Sequence, residues 1–208
     1  AGGISQADAV LIYHQRYAKD PYGELLGITS YFNDTYPLFV KPANAGSSVG
    51  ISKVKNAEEL PKALETAFAE DDKVLVEEAI TGREIEVAVL GNEEPEASCI
   101  GEIFAANEFY DYNAKYENEA SKTAVVTDLD PKKEQEIKDT AVKIYRIMGC
   151  RGLARVDFFL KDSGRVVFNE INTLPGFTNI SMYPQLWEAS GIPYPDLIDR
   201  LIELALEQ

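Results

Sequence analysis

Two neighbouring segments, GLARVDFFL at 152–160 and RVVFNEI at 165–171, constrain this chain most. Both are dense in β-branched and aromatic residues, and only KDSG lies between them. Residues two apart in a strand share a face. Ala154, Val156, Phe158 and Leu160 therefore share one face, while Arg155 and Asp157 share the other. Glu170 and Asn172 likewise share a face of the second strand. A four-residue loop, Asp162–Arg165, closes a hairpin with Asp157 opposite Glu170 and Arg155 opposite Asn172. Any even shift of register keeps all four on one face. Two carboxylates opposed across strands repel. A divalent cation removes that conflict, because hard cations such as Mg²⁺ take oxygen ligands and keep positions open for phosphate. A salt-bridge cluster built on Arg155 removes it too. The strongly apolar flanks put the polar face inside a packed element, which favours a site. On the cation reading, asparagine at 157 leaves the metal-free protein at least as stable.

The rest of the chain supplies shorter elements. PLFVKP (37–42) and GISKV (50–54) read as strands around the small-residue loop ANAGSSVG (43–50). Asn56 with Glu59 forms a capping pair ahead of Leu60, Leu64, Ala67 and Phe68 at helical spacing. KVLVEE (73–78) is a strand; REIEVAVLG (83–91) and EASCIGEIF (96–104) alternate as a pair. Residues 105–123 read as a long loop, and loops of that length in compact domains are often functional. Asp130–Pro131 opens a helix striped by Ile137, Ala141, Ile144, Tyr145 and Met148 and stopped at Gly149. A last amphipathic helix carries Leu197, Ile198, Leu201, Ile202 and Leu204. Residues 1–36 show no sustained period. Strands and helices mix without βαβ alternation, so the reading is α+β, with two lobes meeting near residue 84.

The 208 residues suffice for two such lobes, and 45% hydrophobic with 26% charged residues is ordinary for a folded protein. The formal charge of −15 argues against nucleic acid and anionic membranes as partners, since both need a basic footprint. A small anion needs only a few local cations or a metal. The longest charge-free run, 171–187, is broken by prolines and glycine and cannot span a bilayer. The start lacks the basic and apolar regions of a signal peptide. Cys99 and Cys150 cannot build a disulfide framework and read as buried free thiols, in keeping with a cytoplasmic location.

Two loops admit a functional reading beside a plain one. ANAGSSVG follows Lys41 and could cradle phosphates with its backbone amides, or simply join two strands. It is not a Walker A loop, for no Gly-Lys-Ser/Thr follows its glycines. FYDYNAKY (109–116) is either a lid over a reacting centre or a loop anchored by its aromatics. No Cys–His or Ser–His–Asp arrangement supports nucleophilic catalysis, and the single His14 receives no role.

Five motifs in order, PLFVKPANAGSSVGISKV, VLVEEAITGRE, EFYDYNAKY, GCRGLARVDFFL and NEINTLPGFTNISMYP, resemble the D-alanine–D-alanine ligases of the ATP-grasp superfamily over residues 36–208. The resemblance implies two α+β lobes, 1–84 and 85–208, enclosing a nucleotide cleft. It implies ATP and two Mg²⁺ ions, with Mn²⁺ as a substitute. Lys41 would contact phosphates, and the Ser47–Ser48 loop would close over the γ-phosphate. Glu77, Glu78, Ala79 and Ile80 would line the adenine pocket, Glu84 would hold the ribose, and Phe109 would also bind the nucleotide. Lys115 would reach the phosphates, and Tyr116 would sit in the mobile loop over the acceptor. Asp157, Glu170 and Asn172 would bind the metals. Arg155 and Gly176 would stabilise the tetrahedral intermediate, while Ser181 and Met182 would contact the acceptor.

The implied reaction joins two D-alanines for peptidoglycan precursors, in the cytoplasm and, for the full-length protein, as a homodimer. One carboxylate attacks the γ-phosphate to give an acyl phosphate and ADP. The second amine then attacks that acyl carbon and releases phosphate. Two other readings stand beside it: a sister ligase taking D-serine or D-lactate, and a module that holds Mg-ATP without ligating. Lys115, Tyr116 and Met182 favour D-alanine, since relatives using other acceptors often carry a basic residue at the last position. Residues 1–36 resemble neither the family's N-terminal substrate domain nor the lysine at the entry to its central domain, so that first domain is expected to be absent from this chain. Holding two reactants in attack geometry supplies about 7–11 kcal/mol of barrier lowering. Each 1.36 kcal/mol forfeited costs about tenfold in rate. The chain alone should therefore release phosphate from ATP with saturating D-alanine far more slowly than a longer chain bearing the first domain. Equal rates would place a donor site in residues 1–36.

Overall fold

The computed structural model describes residues 2–44, 49–104, 122–178 and 180–207. Two units emerge among them: one is Ala7–Ile80, and the other combines the residues up to Gln6 with Thr81–Phe104 and the residues from 122 onward. Every strand pairing within the two sheets is antiparallel, as the α+β reading requires.

The first unit is a four-stranded sheet of β1 (Ala9–Tyr13), β2 (Leu38–Pro42), β3 (Ser52–Val54) and β4 (Lys73–Glu78), in the order β1-β4-β2-β3. Its helices are α1 (His14–Lys19), α2 (Pro21–Tyr31) and α3 (Leu60–Phe68). Strand and helix side chains such as Ile12, Ile28, Val40, Leu64 and Val76 meet in one apolar core. Alternation explains the sheet: Leu38, Val40, Val74 and Val76 are buried, while Phe39, Lys41, Leu75 and Glu77 face the other way. The capping pair is present. Asn56 Oδ1 accepts from the Glu59 amide at 3.2 Å, and Glu59 Oε2 accepts from the Lys55 amide at 2.8 Å. It serves a short 3₁₀ turn, Ala57–Glu59, that leads into α3. The absence of a period over residues 1–36 has a physical cause. β1 is an edge strand of five residues, and α2 is apolar nearly all round, so neither shows a stripe.

The second unit is a five-stranded sheet of β5 (Arg83–Gly91), β6 (Glu96–Phe104), β7 (Lys122–Val125), β8 (Gly152–Leu160) and β9 (Val166–Asn172), ordered β7-β6-β5-β8-β9. Helix α4 (Pro131–Ile147) packs Ile137, Ala141, Ile144 and Tyr145 on one face, against Ile85, Val87, Val156 and Phe158. Helices α5 (Met182–Ala189) and α6 (Tyr194–Leu206) cover part of the other face, over Ala88 and Leu90. The Asp130 side chain accepts from the Lys132 amide at 2.9 Å and starts α4, as its position before Pro131 predicts. Both cysteines are free but only half-buried, which corrects the expectation of fully buried thiols.

The β8–β9 hairpin reaches its register by a different route from the four-residue loop inferred above. Lys161 accepts from the Gly164 amide and donates to the Arg165 carbonyl, so the loop is Asp162–Gly164, with Gly164 at φ +79°. Phe158 then pairs with Phe168, and a β-bulge between Asp157 and Phe158 restores Asp157 opposite Glu170 and Arg155 opposite Asn172. A continuous ladder would have put Asn169 opposite Asp157 and turned Glu170 and Asn172 onto the apolar face. A second irregularity lies between Val87 and Val89, where β6 presents an extra residue. There the Ser98 hydroxyl accepts from the Ala88 amide at 3.0 Å and donates to the Cys99 carbonyl at 2.6 Å, wholly inside the protein. Ser98→Ala should leave the Ala88 amide unpaired and lower stability by about 1–3 kcal/mol, measurable by urea unfolding. A loss under about 0.5 kcal/mol, the low end for a typical hydrogen bond, would mean the bulge needs no such plug.

Candidate active site

The central strands β5 and β8 have both faces used. One face is apolar under α4, and the other carries Glu84, Glu86, Arg155 and Asp157 wherever α5 and α6 do not reach. Register places Glu86, Asp157 and Glu170 side by side on three adjacent strands, with Ala88, Arg155 and Asn172 on the next rung. The four residues that strand alternation grouped on one face are thus together. Glu86, which the sequence reading passed over, completes the row. The signal was available: Glu84, Glu86 and Ala88 alternate with Ile85, Val87 and Val89 in a strand already recognised.

Arg155 is the hub. Its Nε and Nη2 donate to Asp157 Oδ1 at 2.8 Å and Oδ2 at 2.7 Å, a bidentate pair. Its Nε also lies 3.1 Å from Glu86 Oε1. The three side chains are 17%, 11% and 5% exposed for Arg155, Asp157 and Glu86, so the cluster is shielded from water. Burial by itself would push the Arg155 pKa down; the charges of Asp157, Glu86 and Glu170 and the Asp157 hydrogen bonds outweigh it and drive the pKa up. Arg155 is therefore a fixed cation. The repulsion expected between Asp157 and Glu170 is met in this structure by Arg155.

The donor set also suits a hard divalent cation. Asp157, Glu170 and Asn172 are carboxylate and amide oxygens on neighbouring register positions, with no nitrogen or sulfur ligand among them. Asn172 Oδ1 accepts from the Leu174 amide at 3.1 Å, which aims the amide. Among the described residues no group of three or more His, Cys, Asp or Glu is arranged to hold a metal; both Asp157 oxygens are held by Arg155, so Asp157 would have to turn to take a cation.

The remaining expected residues fall into three sets. Gly176 and Ser181 are brought together: a Cβ on Gly176 would meet Ser181 Oγ at 3.0 Å, and that hydroxyl accepts from the Thr178 amide at 3.0 Å. Met182 heads α5 and is 8% exposed, its sulfur lodged over Gly101. It also borders a cavity of about 380 Å³ lined by Thr123, Val125, Gln185 and Glu188, which none of the carboxylates of the Arg155 cluster reaches. In the first unit, Lys41 and Glu77 lie on one face of the sheet, 2.7 Å apart as an ion pair. Glu78 accepts from the Asp8 amide at 3.1 Å, and the Ala79 amide donates to the Pro37 carbonyl at 3.3 Å, which ties down the segment leading to Ile80. Ser47, Ser48, Phe109, Lys115 and Tyr116 lie outside the described residues.

With Arg155 holding both oxygens of Asp157, the expectation that asparagine at 157 is harmless without metal reverses. Asp157→Asn should lower metal-free stability by about 1.5–3 kcal/mol, the range for a hydrogen bond to a charged group. Urea unfolding in EDTA measures it. A variant as stable as wild type would show that Glu86 alone satisfies Arg155.

Residues 1–203 match the family described as "D-ala D-ala ligase C-terminus". The chain is 63% identical over 172 residues to D-alanine–D-alanine ligase B of Clostridium tetani, covering 82% of this chain and 48% of that protein. It is 53% identical over 209 residues to the D-alanine–D-alanine ligase of Acetivibrio thermocellus, covering 99% and 54%. Among solved structures, the D-alanine–D-alanine ligase from Coxiella burnetii superposes with a TM-score of 0.83 at 42% identity, over 98% of this chain and 53% of that one. The VanG D-Ala:D-Ser ligase from Enterococcus faecalis gives 0.83 at 39%, over 99% and 58%. The chain spans about half the length of the curated relatives it matches. The family match begins at residue 1, so residues 1–36, where the motifs are silent, belong to it as well. A family match across nearly the whole chain, and a fold shared with these ligases, lead to one conclusion: the chain belongs to the D-alanine–D-alanine ligase C-terminal family and has its α+β ATP-grasp fold.

Proposed function

We propose that this chain carries the ATP-binding and acceptor-side machinery of an ATP-dependent D-alanine–D-alanine ligase that works in the cytoplasm on peptidoglycan precursors. The observation that carries the reading is the row Glu86–Asp157–Glu170 with Arg155 and Asn172 beside it, on one sheet face and otherwise costly to bury. In this reading two lobes, 1–84 and 85–208, divide the work. Lys41 would exchange Glu77 for nucleotide phosphates, and Glu77 to Ile80 would face the base. Asp157, Glu170 and Asn172 would hold Mg²⁺, two ions in the family's pattern, with Mn²⁺ as substitute. Bound there, the metal would neutralise charge on the transferring phosphoryl group.

The protein's own part is positioning and fixed charge. Arg155 keeps its proton throughout and can donate toward an oxygen that becomes negative when the amine attacks the acyl carbon. Gly176 offers backbone at the same step, and Ser181 would orient the acceptor. Lys115 and the Ser47–Ser48 loop would engage the phosphates, Phe109 would contact the nucleotide and Tyr116 would cover the acceptor, so that together they exclude water. Met182, an apolar residue heading α5, favours D-alanine over D-serine or D-lactate. Assays of the full-length parent with the three acceptors decide among them, and the same reading makes that parent a homodimer.

Mg-ATP should stabilise this chain. At 100 times its dissociation constant a ligand adds about 2.7 kcal/mol, read as a rise in melting temperature. Lys41→Met should abolish most of the rise, measured from the variant's own ligand-free melting temperature, which loss of the Glu77 ion pair lowers. No shift at millimolar Mg-ATP would count against the nucleotide site.

A further inference from the structure

We propose that Glu86 is a positioning residue that holds the Arg155 guanidinium when Asp157 turns its oxygens to a divalent cation. The proposal rests on the reading of Asp157 as a cation ligand. The Nε of Arg155 has a single hydrogen and two carboxylates in reach of it. Asp157 Oδ1 takes that hydrogen at 2.8 Å, and Glu86 Oε1 stands 3.1 Å away. Nη2 engages the other Asp157 oxygen at 2.7 Å. Without a cation, then, both oxygens of Asp157 are committed to Arg155. A cation that drew Asp157 away would strand a guanidinium that is only 17% exposed, and removing one partner of a buried pair is strongly destabilising. Glu86 prevents this. A small swing of the Nε–H from one carboxylate to the other keeps Arg155 paired and in place.

Register gives Glu86 this task rather than ligation. Glu86 on β5, Asp157 on β8 and Glu170 on β9 occupy one rung, with Asp157 in the middle. Two strand spacings, roughly 9–10 Å, separate the backbones at Glu86 and Glu170. Glu86 is therefore badly placed to share a cation with Glu170 and Asn172, and well placed to reach Arg155.

The test uses this chain with Glu86→Gln, Asp157→Asn and the double variant, followed by the fluorescence of the single tryptophan, Trp187, which is buried in the same unit. In EDTA each single variant leaves one of the two carboxylates in reach of the Arg155 Nε and should lower the melting temperature by a few degrees. The double variant leaves neither and should lose more than the two losses combined. Losses that merely add, or a Glu86→Gln variant more stable than wild type, overturn the proposal. Calorimetry with Mn²⁺–ATP is the second arm. Glu86→Gln should bind it about tenfold more weakly, as loss of a residue that orients a ligand does. Its affinity for ATP in EDTA should stay within about twofold of wild type, and Glu86→Asp should recover part of the loss. Unchanged Mn²⁺–ATP binding by Glu86→Gln beside weakened binding by Asp157→Asn overturns the proposal alone. Asp157→Asn binding as tightly as wild type overturns the ligand reading, and the proposal with it. Should the double variant not fold, the calorimetry of the single variants decides.

Discussion

Charge buried on the face of a sheet must be neutralised on that face, and the second unit is organised around this requirement. β5 and β8 are central strands, and most side chains on both their faces are buried. On one face the constraint is met by apolar packing under α4. On the other, α5 and α6 cover only Ala88, Leu90 and their neighbours. The remainder carries three carboxylates in a row, a buildup that would be unfavourable without a cation. Arg155 supplies it, held bidentately by Asp157 and approached by Glu86. Ala88 lies opposite Arg155 in the ladder, and its small side chain leaves room for the long arginine stem.

Two departures from regular pairing flank this cluster. The bulge opposite Asp157 re-aims Glu170 and Asn172, and the irregularity at Ala88, plugged by Ser98, lies on the strand that presents Glu86. Bulges are costly to the ladder and accumulate where a side chain must be redirected. Here both occur beside the buried Glu86–Arg155–Asp157 cluster, while the sheet's other buried acid, Glu102, is paired with Arg83. Gly101 contributes in another way. It is paired with Glu86, and the space a Cβ would fill there is taken by Met182 and Leu186. A side chain at 101 would push α5 away from the sheet and with it the Ser181 turn.

The comparisons fix the family and leave the acceptor open. A D-Ala:D-Ser ligase and a D-alanine–D-alanine ligase superpose on this chain with the same TM-score. The fold is therefore common to both chemistries, and discrimination resides in particular side chains around the acceptor. Met182 and Ser181, proposed above for that role, sit at the head of α5.

Much of this was legible in the sequence. Strict alternation determined β8 and β9, their shared polar face and the grouping of Arg155 with Asp157, Glu170 and Asn172, because period two is a local property of the backbone. Caps determined the starts of the 3₁₀ turn at Ala57 and of α4, since a cap is satisfied within a few residues. The family motifs determined the relatives. Residues 7–36 stayed silent because an edge strand and a mostly apolar helix leave no periodic mark, and their order comes from packing in the core of the first unit. The pairing of Asp157 with Glu170 was inferred with the wrong loop: only the three-dimensional ladder shows a shorter turn followed by a bulge. Glu86 was hidden for a like reason. It lies about seventy residues before Asp157, and no local pattern announces that β8 is the second neighbour of its strand. Which strand lies beside which is settled by long-range packing, and so is the burial that turns a solvated acid into a partner of Arg155.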